Sequence, residues 1–209
     1  MVNNANACLR WLAAQNLEEA RRSAELVIAD GHRASDIVSG IRGLFKMARL
    51  QSSAVEVNEA ILEVINLTHG ELVKNGVTVQ TQLTEGLQLI QGDRVQLQQV
   101  ILNLIINAVE AMSGVSEGSR ELLISSGKDA SGGVLVAVQD SGSGLSPEGF
   151  DRLFEAFYTT KTGGMGMGLT VCRSIVEQHG GLIRASRKAG PGATIQITLP
   201  VEGTAHQVA

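Results

Sequence analysis

At 209 residues, with 44% apolar residues and a net charge of −4, the chain has material for one ordinary domain plus an appendage. The acidic balance argues against general nucleic-acid binding, which leaves a basic footprint. Aromatics, at 3%, are too scarce to build the core, which falls to Leu, Ile, Val and Ala. The charge is uneven: residues 1–50 carry seven Lys/Arg against five Asp/Glu, and the remainder ten against sixteen. Cys8 and Cys172 fit no metal or redox spacing, and read as small core residues in a reducing cytoplasm. No stretch approaches the roughly 20 apolar residues of a membrane span, and no signal peptide precedes the first helix. A membrane-bound parent with these residues as its cytoplasmic end stays open.

Ala5, Cys8 and Leu12 mark the end of a first helix. Asn16 then stands as an N-cap, with Glu19 in the capping-box position. From Leu17 a heptad seam runs through Ala20, Ala24, Val27, Gly31, Ala34, Val38, Ile41 and Phe45 to Ala48. That seam predicts a helical hairpin that dimerises as a four-helix bundle. The competing reading is one amphipathic helix lying on the main domain; the 3.5-residue period favours the bundle. Past Leu50 the pattern changes. The sequence predicts a short strand at Val55-Glu-Val57, with Asn58 capping a helix from Glu59 to Lys74 that Gly76 stops. Strands follow at Val77–Leu83 and Leu87–Ile90, then a helix from an Asp93 cap to about Met112, with Gln96 in the capping-box position. Further strands are expected at Glu121–Ser126 and Val134–Gln139, then a short helix after Pro147. A last helix spans Gly168–His179, with strands near Leu182–Ser186 and Thr194–Leu199 and a disordered tail from Val201. This order, unlike repeated βαβ units, predicts a two-layer α/β sandwich with a mixed sheet backed by helices.

Four segments of this frame carry chemistry. Asn103 and Asn107 are four apart and project from one helix face. An amide oxygen is a hard ligand suited to Mg²⁺ beside nucleotide phosphates; two exposed asparagines are the plain alternative. Asp140 ends an apolar strand and opens Asp140-Ser-Gly-Ser-Gly144. Its carboxylate can accept from an exocyclic amine such as that of adenine, worth about 1.5–3 kcal/mol, while Gly142 and Gly144 let backbone approach a base. An ordinary turn would read the same way. Gly163, Gly164, Gly166 and Gly168 feed a helix whose N-terminal N–H groups suit phosphate oxygens. Neither the Walker spacing nor the dinucleotide fingerprint is present. Lys161 would place a positive charge near the terminal phosphate, and Phe154 and Phe157 would anchor that segment on the domain. Thr194 would bond the adenine edge or simply begin the last strand.

In order, Asn103/Asn107, Asp140-x-Gly-x-Gly144, Phe154-x-x-Phe157 and Gly164-x-Gly-x-Gly168 resemble the asparagine, first glycine, phenylalanine and second glycine boxes of sensor histidine kinases. Their ATP-binding domain belongs to the superfamily shared with gyrase, the Hsp90 chaperones and MutL. The resemblance covers about residues 55–200. Phe154-Glu-Ala-Phe-Tyr-Thr-Thr-Lys161 and Ile175-Val-Glu-Gln-His-Gly-Gly181 look most like the oxygen- and nitrogen-sensing kinases of proteobacteria. It implies ATP and Mg²⁺ as cofactors, with Asn107 as metal ligand and Asn103, Asn107 and Lys161 in catalysis. Asp140, Gly142, Gly144, Gly164, Gly166, Gly168, Leu169 and Thr194 would complete the nucleotide contacts. The implied domains are a partial dimerisation hairpin over 1–50, an ATP-binding domain over 51–200 and a tail over 201–209. The implied partners are a second copy of the chain and the receiver domain of a response regulator.

Gyrase-like ATPases carry a glutamate general base where Asn103 stands, and an amide cannot take that proton. Transfer to an imidazole needs less help, since a neutral ring nitrogen is already a nucleophile. Glu110 departs from the family, which often has Lys or Arg there. The family's phosphoacceptor is a His followed by an acidic residue and a Pro. His32, in Gly-His-Arg-Ala, lacks both and reads as a solvated bundle residue; His179 reads as a helix C-terminal residue facing the dipole. The acceptor is therefore expected upstream, in a longer parent with a sensor domain. A dimerising ATP-binding module without kinase activity, or a serine kinase of the anti-sigma type, are the alternatives.

Overall fold

A computed structural model of the chain describes residues 2–27, 53–114, 118–144, 146–159, 166–187 and 191–201. The chain divides into two compact units, Met1–Phe45 and Lys46–Ala209.

In the first unit, α1 (Val2–Ala13) leads through a tight turn into α2, described over residues 17–27. Gln15 reverses the chain with a positive φ of 56°. Asn16 caps α2 as its sequence position predicts, its Oδ1 accepting the Glu19 N–H at 3.2 Å. Across the hairpin the Cys8 thiol donates to the Ala20 carbonyl at 3.2 Å. Ala20 and Ser23 are buried, whereas Leu9, Trp11, Leu12, Leu17 and Leu26 face solvent. The rest of the seam, from Gly31 to Ala48, and His32 lie outside the described residues.

The second unit is built on a five-stranded mixed sheet of order β2-β4-β5-β7-β6. Its strands are β2 (Val77–Leu83), β4 (Arg120–Lys128), β5 (Val134–Asp140), β6 (Leu182–Arg187) and β7 (Ala193–Leu199). Among the described residues only the β2–β4 pairing is parallel. A separate antiparallel pair joins β1 (Ser53–Val55) to β3 (Ile90–Gly92). Three long helices pack on the sheet: α3 (Val57–Lys74) against β2, α4 (Arg94–Met112) against β4 and β5, and α6 (Gly168–Gln178) against β6 and β7. A short α5 (Pro147–Arg152) precedes the glycine-rich segment.

Period-two alternation sets the core. Leu122 and Ile124 of β4, Val134, Val136 and Val138 of β5, and Ile197 and Leu199 of β7 are buried on one sheet face. They meet Leu97, Ile101, Leu104 and Ile105 of α4, each side chain contributing about 1.5–3 kcal/mol on burial. By length and composition α4 would suffice to cross a membrane, contrary to the sequence expectation. Its apolar side is instead spent on this core.

Two element boundaries differ from expectation for local reasons. The first strand ends at Val55 because Glu56 caps α3, its carboxylate accepting the N–H of Asn58 at 3.2 Å and of Glu59 at 2.6 Å. Asn58, expected as the cap, instead donates to the Thr84 carbonyl at 2.9 Å and accepts from Ser126 Oγ at 2.7 Å. The strand expected at 87–90 begins only at Ile90, where pairing with Val55 starts. Gly76 ends α3 as predicted, with a φ of 63°.

Candidate nucleotide-binding site

Strand parity places Asp140. It follows Val134, Val136 and Val138 on the helix-facing side of β5 and pairs with Leu122, so its carboxylate stands at the sheet's end beneath α4. Asp140 is only 7% exposed, and its Oδ1 accepts the Gly142 N–H at 2.8 Å. The turn after it hangs on the last turn of α4: Ser143 N–H donates to the Ala111 carbonyl at 3.4 Å. A Cβ on Gly142 would sit 2.6 Å from that carbonyl oxygen, so only glycine fits. Gly144, with φ 74°, lies beside Gly192. Gly192, in the turn before β7, packs its backbone against the Asp140 carbonyl.

Thr194 departs from expectation. Register pairs it with Gln139, one residue out of phase with Asp140. Alternation therefore turns its hydroxyl to the sheet face opposite Asp140, so it simply begins β7.

The asparagines face α6. A Cβ on Gly168, the first residue of α6, would lie 3.6 Å from Asn107 Nδ2. One turn deeper, the Cys172 thiol donates to the Val100 carbonyl at 3.8 Å, close to the Asn103 side chain. At the far end of the two helices, His179 Nε2 accepts the Asp93 N–H at 3.0 Å. Three contacts at successive levels make α4 and α6 antiparallel neighbours. Cys172 is fully buried, and burial pushes its thiol up to about 12.

α6 begins without a side-chain cap at Met167, leaving its first N–H groups for an outside acceptor. The preceding loop is closed at its base. Phe157 N–H donates to the Gly166 carbonyl at 3.1 Å, and Gly166, with φ 64°, is pressed against the Tyr158 carbonyl. Phe154 packs on the core as expected, and so does Leu169. Phe157 does not anchor anything: it is 75% exposed, with a positive φ of 66°. Lys161, Gly163 and Gly164 lie outside the described residues. Glu110 is exposed at the end of α4.

The described residues thus bring together Asn103, Asn107, Asp140, Gly142, Gly144, Gly166 and Gly168 around the C-terminal half of α4. The donor set is a buried carboxylate, two neutral amides and an uncapped helix start, which suits a base at one end and hard anionic oxygens with a divalent cation at the other. Among the described residues no group of three or more His, Cys, Asp or Glu could hold a metal, so a cation here would lean on amide and phosphate oxygens. Sequence reasoning missed Gly192, the Ala111 carbonyl and Cys172. The Gly-Pro-Gly run before β7 was the one visible signal for the first of these.

Residues 92–203, more than half of the chain, match the family described as histidine kinase-, DNA gyrase B-, and HSP90-like ATPase. The chain is 34% identical over 204 residues to the sensor histidine kinase TmoS of Ectopseudomonas mendocina, covering 96% of this chain and 21% of that protein. It is 32% identical over 186 residues to the sensor histidine kinase ZraS of Escherichia coli strain K12, covering 89% of this chain and 39% of that one. The chain spans well under half of the length of these relatives. Among solved structures, the nucleotide-free catalytic domain of histidine kinase ThkA is 30% identical with a TM-score of 0.62, over 73% of this chain and 96% of that one. The chain belongs to the histidine kinase-, DNA gyrase B- and HSP90-like ATPase family, with the sensor histidine kinases as its relatives.

Proposed function

We propose that residues 51–200 bind ATP with Mg²⁺ and transfer its terminal phosphoryl group to a histidine on a dimerising helical hairpin, for relay to an aspartate of a response-regulator receiver domain. The observation that carries this reading is the approach of Asn107 to Gly168 at the uncapped start of α6, with the turn of the buried Asp140 held on Ala111, one turn further along α4. ATP supplies the phosphoryl group: the imidazole nitrogen forms the new N–P bond, the bond to the bridging oxygen breaks, and ADP leaves.

The chain's own residues bind and orient. Asp140 accepts the base's exocyclic amine, and Gly142, Gly144 and Gly192 leave the backbone bare around it. Asn107 would hold Mg²⁺ through its amide oxygen, and the N–H groups at Gly168 and Leu169 would take phosphate oxygens. Lys161, outside the described residues, would add positive charge near the terminal phosphate. Asn103 cannot accept a proton from water, which disfavours hydrolysis relative to transfer. Residues 1–50 would supply part of the dimerising hairpin, a reading that the exposed Leu9, Trp11, Leu12 and Leu17 support, and the whole would work in the cytoplasm.

Labelled Mg-ATP incubated with the chain and a supplied hairpin bearing a histidine acceptor is expected to give acid-labile, alkali-stable label on the hairpin. Asp140→Asn and Asn107→Ala are each expected to abolish nucleotide binding while the domain stays folded. Wild-type affinity in either variant, measured by calorimetry, would remove the site assignment.

A further inference from the structure

We infer that His179 is a positioning residue for the phosphate half of the nucleotide site, acting as a pin that holds α6 in register with α4; this rests on the nucleotide reading given above. His179 is buried at the end of α6. Its two ring nitrogens have opposite tasks. Nδ1 lies 2.8 Å from the Ile175 carbonyl and must donate, while Nε2 lies 3.0 Å from the Asp93 backbone nitrogen and must accept. One neutral tautomer satisfies both contacts, so the imidazole ties the last turn of α6 to the N-cap of α4.

Two further observations mark this contact as built rather than incidental. Asp93 caps α4, its Oδ1 accepting from Val95 at 3.0 Å and Gln96 at 3.2 Å. Gln96 occupies the position whose side chain ordinarily returns the favour by taking the N-cap N–H. It does not do so here: the Asp93 N–H goes to His179, and Gln96 Oε1 is buried without a hydrogen-bond partner. A local cap has been given up for a tertiary one. The ring also needs room: a Cβ on Gly92 would lie 2.5 Å from His179 Cδ2 and 2.8 Å from Nε2.

The consequence reaches the other end of the helix pair. From Asp93 to Asn107 α4 rises about 20 Å. With the antiparallel pairing pinned at Asp93–His179 and met again where the Cys172 thiol reaches the Val100 carbonyl, Asn107 is set against Gly168. Releasing the pin lets α6 shift along α4, which separates the α6 start from the amides. Asp140, on β5, does not depend on α6 for its place. Loss of His179 is therefore expected to weaken phosphate recognition while sparing the base.

The test compares affinities for Mg-ATP and for adenosine, which lacks phosphates, in the full 209-residue chain by calorimetry. In His179→Ala the preference for ATP over adenosine is expected to fall about tenfold or more, the range typical when a group that orients a ligand-binding residue is lost. His179→Gln, whose amide can still accept the Asp93 N–H, is expected to recover much of it. Should His179→Ala not fold, Gly92→Ala, which displaces the ring from outside, is expected to lower the same ratio. An unchanged ratio in a folded His179→Ala or Gly92→Ala variant would overturn the pin while leaving the nucleotide site standing. A wild-type chain that binds neither ligand would overturn both.

Discussion

Gly192 lies against the carbonyl of Asp140 more closely than any side chain would permit. Its φ of 103° adds a second reason for glycine, since L side chains rarely adopt that region. In the nucleotide reading proposed above, Gly192 would therefore be a wall of the base pocket, though it lies some 50 residues from Asp140 in sequence. Gly192→Ala is expected to cost about 1–3 kcal/mol through backbone strain. It is also expected to weaken adenosine and ATP alike, because it moves the Asp140 end. Urea unfolding and calorimetry on the same preparation check both; a stable variant with full adenosine affinity would rule out the wall.

A separate polar cluster predicts the reverse pattern. Ser126 is buried, donates to Asn58 Oδ1 at 2.7 Å and accepts the Thr84 N–H at 3.2 Å. Thr84 Oγ1 returns a bond to the Ser126 carbonyl at 2.8 Å. These bonds tie the start of α3 to the ends of β2 and β4, far along the sheet from Asp140. Ser126→Ala leaves Asn58 Oδ1 short of a partner, at a cost of about 1–3 kcal/mol, while the Thr84 N–H keeps the Ser126 backbone carbonyl at 3.3 Å. Nucleotide affinity at a temperature where the variant is folded should be unchanged. A parallel loss of affinity would mean that the two ends of the sheet are coupled.

Gly166 closes the loop that precedes α6. Its φ is 64°, its carbonyl accepts the Phe157 N–H, and its α-carbon faces the Tyr158 carbonyl with no space between. Gly166→Ala is expected to open that base, lowering ATP affinity about tenfold while adenosine affinity holds, the scale expected when a positioning element is misplaced. Equal weakening of both ligands would place the fault in the fold rather than in the loop.

What was legible before the structure divides along the distinction between local and tertiary causes. Asn16, Asp93 and Gly76 could be read because a cap or a helix stop is decided within four residues. Strand alternation similarly announced β2 in full and β5 to within a residue. Glu56 was missed as a cap because carboxylates of its length seldom serve there. The Asp93 N–H could not be assigned either: the sequence offers Gln96 three residues away, and nothing in its pattern announces His179. Thr194 shows the same limit at the site, since one residue of strand phase decides which face its hydroxyl takes. Motif order is a local property of the chain; pairing register, a tertiary one, decides which sheet face each strand residue takes.

Cys172 predicts an alkaline signature for the α4–α6 contact. Burial favours its neutral thiol, so the folded chain keeps that proton up to about 12, while the unfolded thiol releases it near 9.0. The nearby Asn103 side chain works in the other direction without offsetting burial. The stability this contributes is intact below pH 9 and is lost as pH climbs towards 12, because the unfolded state gains by ionising and the folded state does not. The slope is about 1.4 kcal/mol per pH unit inside that window. Cys172→Ala removes the titrating group, so the stability gap between wild type and variant should be constant from pH 7 to 8.5 and narrow steadily from pH 9 to 10.5. Comparing the two chains cancels the lysines and tyrosine, which titrate in the same range in both. Urea unfolding across that series makes the measurement. A gap that stays constant through pH 10.5 would mean that the thiol exchanges its proton with solvent, and that α6 does not seal against α4.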